Sequence, residues 1–237
     1  MRPDDRKPYA AAGADADAFG SRRLAREKRK RARRRRLTIG ALVLVCALLV
    51  AAGVKFFLSR AVAPPGEGDM PAWITQDLLP VNAYSRPGTE LAHVRGVVVH
   101  YTGNPGTTAE QNRSYFAGLA ETHETKASSH FVIGMDGTII QCVPLDEIAY
   151  CSNERNADTV SIECCHADET GAFSEQTYAS LVKLTKWLCE TFRLKPDDVI
   201  RHYDVTGKNC PRYFVEHEDA WAAFLNDLTK KEPEEAS

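Results

Sequence analysis

The run from Leu37 to Val54 constrains this chain more than any other stretch: eighteen residues without a charge, rich in Leu, Val and Ala. Phe56-Phe57-Leu58 carries it past Lys55. At a rise of about 1.5 Å per residue, such a helix can cross a hydrocarbon core roughly 30 Å thick, with Lys55 snorkelling toward the far interface. It is apolar on every side, whereas a surface helix of a globular domain shows one apolar stripe. Immediately before it, Arg22 to Arg36 holds 11 Lys or Arg in 15 residues. Basic residues on the N-terminal side of a span keep that side in the cytoplasm. The expectation is a single-pass transmembrane helix, residues 37–58, in the cell membrane and in contact with the lipid bilayer. Residues 1–36 are then a disordered basic cytoplasmic tail, and the remainder of the chain lies outside. A cleaved signal peptide is the rival, because Ala61-Val62-Ala63 resembles a small-residue cleavage site, but the apolar run is long for one.

Charge is split in the same place. The formal net charge of −2 conceals 14 Lys and Arg against 5 Asp and Glu in residues 1–36, leaving 16 against 27 in the rest. Two halves of opposite sign face different surroundings. The arginine run alone could be a nucleic-acid patch. Beside a span it reads as a juxtamembrane segment at the anionic inner leaflet, and no nucleic-acid partner is expected.

Residues 59–72 form a Pro/Gly-rich stalk, residues 73–230 a globular domain, and residues 231–237 a short acidic tail. Within the domain Val94–Tyr101 is β-branched and reads as a buried strand. Thr107 or Thr108 can cap a helix running to about Ala120. Ser129–Gly134 and Thr138–Val143 flank an Asp-Gly turn and predict a hairpin. Asp158–Cys165 is a further strand. Ser174–Phe192 has apolar residues at spacings of three and four and is the clearest helix. Val199–Tyr203 predicts a short strand, and Val215–Thr229 a closing amphipathic helix. The fold class expected is α/β: a single domain with a mixed central β-sheet flanked by helices, preceded by the transmembrane helix.

The chemistry concentrates in Arg201–Pro211, where an imidazole (His202), an ammonium (Lys208) and a thiol (Cys210) share one tight loop. Neutral imidazole and thiolate are natural zinc ligands. A third ligand is supplied by His100, which ends the run Val97-Val98-Val99 and so falls at a strand end, where functional groups gather. Two His and one Cys leave a fourth position for water, the composition of a catalytic rather than a closed structural zinc site. No HExxH or CxxC is present, so the fold must bring the three together. Glu163 is the candidate general base, on the strand face it shares with Ser161 and Cys165, where a carboxylate is costly to bury unless it is paired or faces a cleft. Its bland alternative is an edge-strand glutamate pointing at solvent. Cys142 and Cys151 flank one loop and could form a disulfide, or be small buried hydrophobes.

The segments VVVHYTGNPG, ASSHFVIGMDGTIIQCVPLDEIAYCSN, SIECC and RHYDVTGKNCPRYF together resemble the zinc-dependent N-acetylmuramoyl-L-alanine amidases of the peptidoglycan-recognition superfamily, which includes phage lysozyme-type amidases. The resemblance runs from about Val81 to Leu228. It implies that His100, His202 and Cys210 bind Zn2+, that Glu163 is the catalytic glutamate and Lys208 the catalytic lysine, and that the partners are the glycan strand and stem peptide of peptidoglycan. His130 matches a histidine on the strand behind the cleft and is expected to support the site, with Tyr101 and Asn156 as further candidates near substrate. Some members place a catalytic tyrosine immediately before that histidine; here Ser129 stands there, which leaves Glu163 to handle the attacking water. The implied reaction is hydrolysis of the amide between N-acetylmuramic acid and L-alanine, by a monomeric catalytic domain. The alternatives are a module that binds peptidoglycan without cutting it and a zinc peptidase cutting within the stem peptide.

Overall fold

The computed structural model describes residues 26, 28–31, 34–50 and 70–230. They belong to two units, residues 1–60 and residues 61–237. In the first, residues 34–50 form helix α1. Its apolar side chains are open on all sides: Leu37, Leu42, Leu48 and Val50 are each more than 60% exposed. The described turns measure roughly 25 Å at 1.5 Å per residue, and among the described residues no helix is long and apolar enough to cross a membrane. The expected span of 37–58 is thus seen only as a helix through Val50, because residues 51–58 lie outside the described residues. Most of the expected tail, residues 59–69 of the stalk and residues 231–237 lie outside them too.

The second unit is built on a six-stranded mixed sheet in the order β1-β4-β3-β5-β2-β6. Its strands are β1 (Thr75–Gln76), β2 (Gly96–Tyr101), β3 (Phe131–Ile133), β4 (Ile139–Gln141), β5 (Thr159–Cys164) and β6 (Val199–Arg201). β5, β2 and β6 run parallel, β3 joins β5 in parallel, and only the β3–β4 hairpin is antiparallel. That hairpin turns where the sequence predicts, with Gly137 at φ 86°. Helix α2 (Ala109–Thr122) starts from a Thr108–Gln111 capping box, and α3 (Glu175–Phe192) from a Ser174 cap.

Alternation along the strands makes two cores. Val97, Val99, Phe131, Ile133, Val160, Ile162 and Cys164 face one side and pack with Leu181, Leu184 and Leu188 of α3. Val132, Ile140, Cys142 and Cys165 face the other and pack with Ala109 and Phe116 of α2. Because α2 lies over β3 and β4, the β5–β2–β6 part of that second face is left to a pocket.

Three expectations change. The strand expected over 199–203 ends at Arg201, because the Asp204 carboxylate accepts the Arg201 N–H at 2.8 Å and starts helix α4 (His202–Thr206). The closing helix is broken at His217 (φ −129°, ψ 81°) into α5 (Arg212–Glu216) and α6 (Glu218–Asp227). Cys142 and Cys151 form no disulfide: both thiols are free, Cys142 buried under α2 and Cys151 on the pocket wall.

His130, just ahead of β3, ties the second face together. Its Nδ1 accepts the Ser161 N–H at 3.0 Å, and its Nε2 lies 2.9 Å from the Glu147 carbonyl, to which it donates. Both nitrogens are committed in the neutral ring. Burial pushes the imidazole down to about 4, against the opposing pull of the Glu147 carbonyl and carboxylate. In the unfolded chain the ring takes its proton near 6.5, so between these values unfolding takes up a proton and acidification destabilises the fold. With a chelator present, denaturant titrations are expected to show His130 contributing a loss of about 2 kcal/mol between pH 7 and pH 5. In His130→Gln that share of the pH slope should vanish.

Candidate active site

Strand register assembles the centre. β5 sets Glu163 beside His100, and β3 sets Val132 beside Glu163, giving one row across the second face. On the far side of β2, Arg201 pairs with Val99, so the next residue, His202, arrives level with His100. Three adjacent parallel strands therefore deliver Glu163, His100 and His202 at their C-terminal ends, where ligands gather in open α/β sheets. His202 is held by its neighbour: buried Arg201 bonds Asp204 at 2.9 Å, Glu218 at 2.7 Å and the Phe214 carbonyl at 3.0 Å. Gly207 (φ 76°) then ends α4, and the chain returns so that the Cys210 carbonyl accepts the Tyr203 N–H at 2.8 Å.

The His100 and His202 ring nitrogens and the Cys210 sulfur, all buried, lie within 4.8 Å of one another. The two Nδ1 atoms face each other at 3.1 Å, and Cys210 Sγ is 3.9 Å from His100 Nδ1. Each outer nitrogen has its own partner: His100 Nε2 meets Ser152 Oγ, and His202 Nε2 meets Asn153 Oδ1, both at 3.0 Å. With Nε2–H donated outward, both Nδ1 lone pairs point inward at one spot, an arrangement that repels unless a cation or proton lies between them. Burial, the neighbouring ring and the Lys208 charge hold His100 well below the usual imidazole range, and burial with Lys208 lowers His202. Both shifts favour the neutral imidazole, the form that can ligate a metal. Burial, helped by Glu163, pushes the Cys210 thiol up to about 12, while the Tyr101 backbone N–H and Lys208 pull it down. These residues fit zinc: two oriented imidazoles and a thiol, with outer partners that fix ring orientation and an open side toward the pocket.

That pocket has a volume of about 460 Å³ and is lined by His100, Tyr101, Glu163, Lys208 and Cys210, with Cys151 and Lys126 on its wall. A second groove of about 450 Å³ shares Thr102, Phe116, Glu163 and Lys208 with it and continues along α2. A larger cleft, about 660 Å³, lies between the ends of α3 and α6 and contains none of these groups. Glu163 is raised to about 8 by burial, with the Cys151 S–H (3.6 Å from Oε1) and the Lys208 charge opposing. Its other oxygen, Oε2, and the Thr102 hydroxyl are buried with no hydrogen-bond partner among the described residues. Unsatisfied polar atoms of this kind mark a place built to receive something.

The structure gathers His100, His202, Cys210, Glu163, Lys208 and Tyr101 in one pocket. Tyr101 stacks on His166 at 4.9 Å, which fixes the ring at the pocket edge. His130 and Asn156 do not line it. Asn156 acts one step back, its Oδ1 accepting the N–H groups of Cys151 (3.0 Å) and Ser152 (2.6 Å) and so shaping the segment that carries the ring partners. Ser152 and Asn153 are the residues that sequence reasoning missed, and Cys151, expected as a disulfide partner or a small buried hydrophobe, lines the pocket beside them. They sit in an irregular stretch without periodicity, and Asn153 takes a left-handed backbone at φ 53° to reach His202.

Residues 90–213, just over half of the chain, match the N-acetylmuramoyl-L-alanine amidase family, and the chain belongs to that family. A probable N-acetylmuramoyl-L-alanine amidase of Bacillus licheniformis is 32% identical over 163 residues, covering 64% of this chain and 46% of that protein. The N-acetylmuramoyl-L-alanine amidase BlyA of Bacillus subtilis (strain 168) is 32% identical over 178 residues, covering 66% and 47%. The chain thus spans about half the length of these curated relatives. Among solved structures, the catalytic domain of XlyA superposes with a TM-score of 0.55 at 28% identity, covering 65% of this chain and 98% of that one. PlyL, at 20% identity, shares the fold with a TM-score of 0.58 over 68% of this chain and 99% of its own.

Removing an outer partner of a ligating histidine typically costs 10- to 100-fold in metal affinity. Ser152→Ala and Asn153→Ala should each weaken zinc binding by about that factor, measured by competition with a chromophoric chelator.

Proposed function

We propose that this chain hydrolyses the amide bond between N-acetylmuramic acid and L-alanine in peptidoglycan, with zinc held by His100, His202 and Cys210. The observation that carries the reading is the row placing Glu163, with an unsatisfied carboxylate oxygen, directly beside His100 at the floor of the pocket. The names of the amidase relatives supply the substrate. When bound, zinc supplies Lewis acidity, which polarises a carbonyl and lets water lose a proton near neutral pH.

The chain's own residues account for the rest. Glu163, raised by burial to about 8 with the Lys208 charge opposing, takes a proton from water in its ionised form and returns it to the leaving amine. Lys208, exposed at the rim of the same pocket, places its ammonium beside the lactyl carbonyl as negative charge develops on the oxygen. Phe116 and Tyr150 form the apolar part of the same pocket wall. The groove along α2 accommodates the substrate beyond the scissile bond.

Digestion of defined peptidoglycan by the full chain, followed by mass spectrometry, is expected to release peptides with free L-alanine amino ends, and a chelator should stop the reaction. Products cut within the stem peptide, or wall binding without cleavage, would sink the proposal. Lys208→Ala should lower turnover on purified muropeptide by about 100- to 1000-fold, the usual effect of losing one oxyanion contact. Glu163→Gln, which keeps the shape and removes the base, should lose at least about 100-fold.

We also infer that residues 37–58 anchor the protein in the cell membrane, with the amidase domain outside. Support comes from the exposed apolar surface of α1 and from the charge split at its start. On fractionation of cells the full chain should remain with membranes after an alkaline carbonate wash, while residues 70–237 should appear in the soluble fraction. Full release of the intact chain by carbonate would overturn the anchor.

A further inference from the structure

A second set of donors meets in the pocket. One ring nitrogen of His100, the Cys151 sulfur and a Glu163 carboxylate oxygen lie within 4.8 Å of one another. It shares His100 with the first set but otherwise uses groups that hold no zinc in the reading above. Cys151 and Glu163 reach this point from different elements: the thiol from the segment before the 3-10 turn Asn153–Ala157, the carboxylate from β5. They already face each other, with Sγ 3.6 Å from Oε1, while Oε2 is buried and without a partner. Both line the open pocket, so an ion can enter from solvent.

We propose that Cys151 and Glu163 form a second, weaker metal position that takes a thiophilic divalent cation, zinc in excess or cadmium, and that its occupation shuts the enzyme down. A thiolate with a carboxylate selects zinc and cadmium over magnesium and calcium, which prefer all-oxygen sites. On binding, the S–H bond of Cys151 breaks as the sulfur–metal bond forms, any proton on the Glu163 carboxyl is lost as the oxygen–metal bond forms, and these protons leave to solvent. Since the inward nitrogen of His100 serves the first ion, the second rests on Cys151 and Glu163, with water in its remaining positions. Two protein ligands in place of three, and the Lys208 charge on the same pocket, make this position the weaker one. The inhibition follows because Glu163, once bound to a cation, can no longer accept a proton. The inhibitory consequence rests on the hydrolase reading; the metal position does not.

The test uses the full chain loaded with one equivalent of zinc and titrated with cadmium. Two quantities are followed, the cadmium–thiolate charge-transfer absorbance and the bound metal by equilibrium dialysis. Wild type should show a saturable thiolate increment and take up one ion more than Cys151→Ser or Cys151→Ala. Glu163→Gln should need at least about 10-fold more cadmium to reach it, since losing a direct ligand costs no less than losing an outer partner of one. To separate Cys210 from Cys151, the increment should persist in metal-free Cys210→Ser and disappear in the Cys151→Ser/Cys210→Ser double variant. If both Cys151 variants match wild type in absorbance and stoichiometry, the position does not exist. In the activity arm, excess zinc should slow wild type on muropeptide at least 10-fold more than it slows Cys151→Ser. Equal slowing of the two would overturn the inhibitory role. If no hydrolysis is seen under any condition while the Cys151-dependent cadmium step remains, the proposed function fails and the metal position stands.

Discussion

The site depends on one constraint, the in-register parallel pairing of β5, β2 and β6. A slip of one residue in the β2–β5 pairing would turn Glu163 toward the α3 core and leave an apolar side chain beside His100. The register is secured by the opposite face of the same strands. Val97, Val99, Val160 and Ile162 bury their side chains against α3, and that apolar burial outweighs the cost of placing His100, Glu163 and Ser161 on the other side. The pocket face is held in place by the core behind it.

Burial then determines the chemistry. The same desolvation that keeps His100 and His202 neutral pushes Cys210 up to about 12 and Glu163 up to about 8. Without a cation the centre therefore holds two imidazoles with inward-facing nitrogens, a thiol and a Glu163 oxygen without a partner among the described residues. A cation held by His100, His202 and Cys210 would satisfy the inward lone pairs, with the thiol proton released, which would couple metal binding to pH and to folding. Lys208 acts in the same sense from the rim, drawing down His100, His202, Glu163 and Cys210 through its charge.

The segment from Cys151 to Asn156 explains how imidazoles on a strand end and a short helix come to point the right way. Asn156 bonds two backbone N–H groups, Ser152 and Asn153 each receive one ring, and Cys151 touches Glu163. One short segment thus contacts three side chains of the pocket. Its own geometry is unusual, with Asn153 in the left-handed region, a conformation that non-glycine residues adopt at a cost.

Much of this was legible in the order of residues. The β-branched run ending at His100, the capped helix after Thr108, the Asp-Gly hairpin and the apolar face of α3 each follow from local sterics and periodicity, and Glu163 declared itself as a carboxylate in an apolar strand. His202, Lys208 and Cys210 were legible because eleven residues hold them together. What the sequence could not determine were the contacts between distant segments: Ser152 and Asn153 reaching histidines about fifty residues away, Cys151 meeting Glu163 instead of pairing with Cys142, and the break of the closing helix at His217. Those depend on strand order and register, which are set by which faces the whole domain can bury together. By itself the sequence determined the groups available for chemistry and the elements that carry them. Only the tertiary structure decided which nitrogen, sulfur and oxygen atoms share one pocket, because pairing three parallel strands is a property of the packed sheet and of no single stretch.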